Sequence, residues 1–442
     1  MKNAMMIILA AVFLVGCGSS APKRRLEPVE HNLGTDGSTT MLFHSSLYYP
    51  AELSMRFDGY IVGIEKSPLE KISSPDDVKI RGIADTSLTK ELAENKLLDS
   101  KLLYISHIIE NRADHNGMDN CTIYNAYNQE QTPEVKQLAP VCQGTPDLPI
   151  ATTSGFRSSW GALGQLERSM TQRIQNGKYS HIIVITMGWN TLQDEAVRNF
   201  NSIIAGMKSS AGPAFNPLVI GVTWPSSWES KWFEPIYRFF SFPVKAADAD
   251  ELGLSWLGVL LQKTLPKVQG SLPVIVIGHS FGSRASSVAA CVGPAIYEYD
   301  PKFTRAKIDT LVNLQGAFLS GRLFGENDRK FHYPINCPNV RNIVLTSSVN
   351  DTAMNSAIWG IYAGDERSYK KYCSGSAQEI RCAHAQADGN ITQVSGPSSS
   401  NITFIDASDV IKENAYMSGG GAHSDIYRKE HGVLLNWAIS NH

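Results

Sequence analysis

The sequence predicts an α/β protein with a mostly parallel, doubly wound sheet and helices on both faces, and three observations predict it. Short apolar runs rich in β-branched residues recur at His181 to Thr186, Pro217 to Thr223, Leu272 to Ile277, Ile308 to Leu314, Val340 to Ser347 and Ile402 to Ile405. Stretches of helical spacing lie between them, such as Trp160, Leu163, Leu166, Met170 and Ile174, or Leu192, Ala196, Phe200, Ile203 and Met207. The runs also lack the polar alternation of a strand with one wet face, which fits a sheet covered on both sides. In such a sheet ligands bind beyond the carboxyl ends of the strands, so the residues that follow each strand are the ones to inspect.

The chain before these runs carries other signals. Met1-Lys2-Asn3 and the apolar run Ala4 to Val15 have the basic start and short length of an export signal, which assigns residues 1–16 to a signal peptide rather than a membrane span. Leu14-Val15-Gly16-Cys17 resembles a bacterial lipobox, which implies lipidation at Cys17 and a membrane anchor at the N-terminus. Gly18 after the cysteine resembles sorting to an outer membrane. Residues 17–40 are rich in Ser, Gly, Pro and charge and read as a flexible tether. In the region 41–154, Phe57 to Glu65 and Val78 to Ile83 read as strands, Leu88 to about Ile109 as helical, and Asp114 to Pro149 as polar loop. These strands could open the main sheet or form a small accessory layer. Residues 155–442 hold the regular α/β pattern, ending in a helix from about Ser424.

Composition excludes some functions. The 442 residues are 43% hydrophobic and 19% charged, enough apolar material for a large core, and a net charge of -2 offers no broad basic surface for nucleic acid. No Cys or His cluster has the compact spacing of a zinc site, so no metal is expected. Export makes disulfides plausible for the six cysteines other than Cys17. Cys121 with Cys142 and Cys373 with Cys382 are near in sequence and pair locally on this reading. Cys291 and Cys337 remain, in one of fifteen possible connectivities.

The most informative stretch runs from Leu272 through Gly278-His279-Ser280-Phe281-Gly282 to Ala285. A β-branched run ends at a glycine, and a small-residue helical stretch begins four residues later. That is a strand, a sharp turn and a helix, with Ser280 at the apex of a G-x-S-x-G arrangement whose glycines leave room where side chains would clash. Gly253-Leu254-Ser255 fails the same test, having no preceding strand and no second glycine. On these residues the sequence resembles the α/β-hydrolase fold and, within it, the lipase-like bacterial serine hydrolases.

That resemblance covers residues 160 to 440 and implies a role for several strand ends. Ser280 is the nucleophile and Phe281 the first oxyanion donor through its backbone N–H. Met187-Gly188-Trp189-Asn190 looks like the family's His-Gly-aromatic turn, which makes Trp189 the second donor, with Met187 standing where histidine is usual. Trp224-Pro225-Ser226 is also similar to those hydrolases, and the aromatic insertion it opens, with Trp224, Trp228 and Trp232, is a candidate acyl-binding wall or a packed loop. In the family order the acid follows the nucleophile and the histidine comes last. Asp351, after the strand Val340 to Ser347, fits the acid, with Asp365 and Asp406 as competitors. His423, in a Gly-rich loop after the final strand, fits the base. His384 precedes that strand, His431 lies in the terminal helix and His442 is the chain end. His279 is expected to point away from Ser280 and act structurally.

The expectation is therefore a lipid-anchored serine hydrolase of the bacterial envelope, cleaving carboxylic esters with a Ser280, Asp351 and His423 triad and needing no cofactor. A catalytically silent member of the same fold, used for binding or scaffolding, is the alternative.

Overall fold

The computed structural model describes residues 55–66, 79–80, 103–114, 117–125, 140–145, 155–189, 191, 193–226, 245–297, 307–325, 333–334, 337–356, 360–374, 380–413 and 421–440. The signal and tether segments, Cys17, Trp228, Trp232 and His442 lie outside the described residues. In chain order the strands are β1 (Gly59–Lys66), β2 (Lys79–Ile80), β3 (Leu103–Asp114), β4 (Gly117–Asn125), β5 (His181–Thr186), β6 (Pro217–Thr223), β7 (Val274–His279), β8 (Ile296–Tyr297), β9 (Ile308–Leu314), β10 (Val340–Ser347), β11 (Arg381–Ala385), β12 (Ile391–Ser395) and β13 (Ile402–Asp406). Eleven of them form one sheet in the order β12-β11-β13-β10-β9-β7-β5-β6-β1-β3-β4, and β2 pairs with β8 apart from it. The sheet is parallel from β11 through β1. An antiparallel strand, β12, closes one end, and the antiparallel pair β3 and β4 extends the other.

Alternation along the central strands builds two cores. Ile182, Val184, Val274 and Val276 face one cluster with Leu166, Leu257, Leu261 and Phe281. Their neighbours Ile183, Ile185, Ile275 and Ile277 face the other, with Phe200, Ile204, Leu434 and Leu435. Helices Gly155–Asn176 and Phe281–Ser287 supply the first cluster, and Gln193–Ala211 and Lys429–Ser440 the second. Both faces of the sheet's central strands are thus dry, and that explains why those strands carry so few polar residues.

Several expectations are corrected. The helical spacing up to Ile109 is misleading, because residues 103–114 form β3. Ile105, Ser106, His107, Ile108 and Ile109 are buried consecutively, and a strand buried on both faces satisfies helical spacing by accident. The polar region after Asp114 holds β4, which pairs with β3 along its length. Of the two strands expected before residue 155, the first is β1, parallel to β6 in the main sheet, while the second is β2, which pairs with β8 apart from it. His384 sits on β11, a strand the sequence did not suggest, beside β13. The last helix begins at Lys429, later than Ser424, because Asp425 is turned back to accept the N–H groups of Lys412 and Glu413.

Disulfides join Cys121 to Cys142 and Cys373 to Cys382, the two local pairs expected from proximity, and Cys291 to Cys337, the pair left over. Among the described residues no helix is long and apolar enough to cross a membrane. The chain runs from β5 to β6 on one side and returns as β7 on the other. In open sheets of this kind such a reversal marks the place where ligands bind, here the carboxyl ends of β5 and β7.

Candidate active site

Strand β7 is buried throughout and ends in a turn whose apex, Ser280, has φ 56° and ψ -122°. Positive φ in a residue with a Cβ is costly, about 1–3 kcal/mol, and persists only where the surroundings enforce it. The enforcement is visible. Ser280 N–H donates to the Leu314 carbonyl at the end of β9, and the Ser280 carbonyl accepts from Ser283 and Ala317. A Cβ at Gly278 would lie 2.5 Å from Ser283 Cα, and one at Gly282 would lie 2.1 Å from the Thr186 carbonyl oxygen. Each glycine of the motif is therefore required by a backbone that passes too close for any side chain.

The turn after β5 closes over this apex. A Cβ at Gly188 would come within 2.5 Å of Ser280 Cβ and 3.0 Å of its Oγ, so the Gly188–Trp189 backbone faces the serine side chain. Trp189 packs its ring 6.5 Å from that of Phe281. Phe281 opens the helix Phe281–Ser287, whose first N–H groups point out of the helix end. Trp224-Pro225-Ser226 proves to be the clamp on this turn. The Trp224 indole N–H donates to the Met187 carbonyl at 2.9 Å, and Ser226 Oγ both donates to the Thr191 carbonyl and accepts from its N–H. Trp224 is buried and its indole is bonded to the turn.

Asp351 and His423 meet. His423 Nδ1 lies 2.8 Å from Asp351 Oδ2, with His423 3% exposed and Asp351 fully buried. A carboxylate can only accept, so the proton of this bond sits on Nδ1 and Nε2 is left with its lone pair. Nε2 is buried and has no hydrogen-bond partner. Asp351 caps the short helix Thr352–Asn355, accepting from Met354 N–H through Oδ1, and a further donor reaches Oδ2 from Gln315 Nε2 at 3.0 Å.

The histidine is also held by its backbone. Ala422 N–H donates to the Asn350 carbonyl, and the His423 carbonyl accepts from His279 Nε2 at 2.9 Å. The two imidazoles lie 4.9 Å apart between centroids. His279 thus ties the loop of His423 to the residue that precedes Ser280. Burial, aided by the neighbouring imidazole, pushes the His279 pKa down to about 3, so this ring stays a neutral donor. Ser280 Oγ does not hydrogen-bond Nε2 in this structure. Such contacts often tighten only when substrate is bound.

Compared with protein-family models and with curated proteins, the chain matches none.

The competing residues have other occupations. Asp365 caps the helix Glu366–Cys373 and pairs with the Arg367 guanidinium. Asp406 accepts from Ser408, and His384 contacts Asp409 at the sheet's edge. His431 accepts from Arg428 N–H, and burial lowers its pKa to about 4. Among the described residues one group has metal-type ligand atoms, Glu110 with Cys121 and Cys142, but these cysteines share a disulfide and offer no thiolate. Sequence reasoning missed Gln315. It directly follows β9, so the rule that drew attention to strand ends covers it too.

Proposed function

We propose that the protein is an envelope-anchored serine hydrolase of carboxylic esters, built on the α/β-hydrolase fold. One observation carries the reading: a buried imidazole whose Nδ1–H is fixed by a carboxylate keeps its Nε2 unclaimed, in the loop tethered to the strained Ser280 turn. A serine hydroxyl needs such a base to become a useful nucleophile near neutral pH. In the proposed reaction Ser280 Oγ bonds to the acyl carbon while its proton passes to His423 Nε2. Asp351 stabilises the imidazolium, and the amides of Phe281 and Trp189 hold the oxyanion. Nε2 then returns the proton to the leaving alcohol as the ester C–O bond breaks. Water, deprotonated by the same nitrogen, attacks the acyl-enzyme; as its C–O bond to Oγ breaks, Nε2 returns the proton to Oγ, and the acid leaves.

The lipobox-like residues around Cys17 support attachment to the envelope, and Gly18 supports the outer membrane. A silent fold used for binding is the second reading, favoured by Met187 in place of histidine and by the absence of a Ser280 to His423 hydrogen bond. A fluorophosphonate probe separates them. The expected result is covalent label on the peptide holding Ser280, lost in Ser280→Ala with the melting temperature kept. Wild-type protein that resists the probe and leaves short and long acyl esters intact would decide for the silent reading.

A further inference from the structure

Gln315 breaks two local rules at once. Its backbone φ is 46°, a region in which glutamine pays a steric penalty, and its Oε1 is buried without a hydrogen-bond partner. Neither feature helps the protein fold. Both follow from where the amide nitrogen must be. Nε2 lies 3.0 Å from Asp351 Oδ2 and 3.4 Å from the Ala422 carbonyl oxygen. Both acceptors demand donors, so the amide orientation is set by its neighbours. The backbone is fixed to match, with Gln315 N–H donating to Thr346 Oγ1 near the end of β10.

One side chain therefore grips the same carboxylate oxygen that holds His423 Nδ1 and the carbonyl just before His423. We propose that Gln315 is a positioning residue for the proposed hydrolysis, a neutral amide that orients the Asp351 carboxylate toward His423 and ties the acid's loop to the base's loop. The inference rests on the serine-hydrolase reading. A neutral donor suits the task better than a cation. Lys or Arg here would neutralise Asp351 and remove the attraction that steadies the imidazolium, whereas an amide fixes the oxygen and leaves its charge in place.

Among the described residues the ionisable groups in contact with His423 are Asp351 and His279, and burial keeps His279 neutral. Removing the amide donor leaves the Asp351 charge less satisfied, so it draws more on the imidazolium, and His423 keeps its proton to higher pH. The test compares wild type with Gln315→Met, which keeps length and volume, and Gln315→Leu. The expected result is a kcat lower by about 10- to 100-fold on a soluble ester, the equivalent of one hydrogen bond to a charged group. KM should hold, and the acid limb of the kcat/KM profile should move to higher pH. Proton NMR should show the His423 Nδ1–H resonance shifted or broadened by exchange in the variants.

Wild-type kcat with an unmoved acid limb and an unchanged Nδ1–H signal in either folded variant would overturn the proposal. A change in KM alone would also overturn it, and failure of both variants to fold would assign Gln315 to structure instead. If the wild type itself neither takes the probe nor cleaves esters, the hydrolase reading fails, and the NMR comparison still decides whether Gln315 orients the pair.

Discussion

Two carboxylates, Asp250 and Asp351, are buried in this protein and are treated in opposite ways. Asp250, in the helical stretch 245–254, accepts Arg284 Nε at 2.8 Å and Nη2 at 2.5 Å, and Arg322 Nη1 at 2.8 Å and Nη2 at 3.1 Å. Burial opposes its ionisation, yet the two guanidiniums hold its carboxyl far below the usual range. Asp351 is equally buried but meets only neutral donors, from Met354, Gln315 and His423. The contrast separates two uses of a charge. Asp250 spends its field on permanent cations and locks three segments together. Asp351, on the proposed reading, keeps its field for the imidazolium that the hydrolysis would form on His423.

The largest test of that contrast is Asp351→Asn. An amide can preserve much of the packing while removing the charge, and it can leave the wrong tautomer on His423, with the proton on Nε2. Turnover on a reactive ester is expected to fall by about 10⁴, with the melting temperature moving by a few degrees at most. A loss of only a few fold would mean that the field of Asp351 is not what the base depends on.

The same change at Asp250 is expected to act on stability. Asp250→Asn leaves two buried guanidiniums without their counter-ion, a change that costs about 3–5 kcal/mol when one partner of a buried pair is removed. Denaturant titration reads it directly. The kcat of the folded fraction should drop far less than in Asp351→Asn, since Arg284 and Arg322 touch neither Ser280 nor His423 in any described hydrogen bond. A stable Asp250→Asn protein that has lost all turnover would reverse the roles assigned to the two carboxylates.

What the sequence made legible follows from the range over which each signal acts. The elbow around Ser280 is local: strand, glycine, serine and glycine lie within a few residues, so the spacing alone carries the geometry. Asp351 and His423 are 72 residues apart. Chain order within a resembling family, not spacing, is what brought them to attention. Asp250 reaches Arg284 across 34 residues and Arg322 across 72, and no periodicity links the three. Gln315 was hidden for a different reason. An amide has no chemistry of its own to mark it, and its importance lies in which acceptors surround it. β3 was hidden because full burial erases the alternation that distinguishes a strand from a helix, and β11 and the edge strand β12 because they are short and carry polar residues that read as loop.

The smallest effect, and the one that times the two regions against each other, is acid sensitivity. His279 and His431 are held neutral by burial, at about 3 and about 4, against an ordinary value near 6.5. Below pH 6.5 the unfolded chain takes up protons on these rings and the folded chain does not, so stability falls as pH falls, by about 2 kcal/mol for each ring at pH 5. Asp250 behaves as a depressed carboxyl. Its contribution is complete above the unfolded value near 3.9 and declines only as pH drops below it. Acid should therefore weaken the protein in two stages, first through the histidines between pH 6.5 and 4, then through Asp250. Urea midpoints measured at half-unit steps should fall in parallel for wild type and Asp250→Asn across the first stage and converge in the second. A wild-type midpoint that is flat from pH 7 to 5 would mean that both rings accept protons in the folded state, and the neutral donor assigned to His279 would be lost with it.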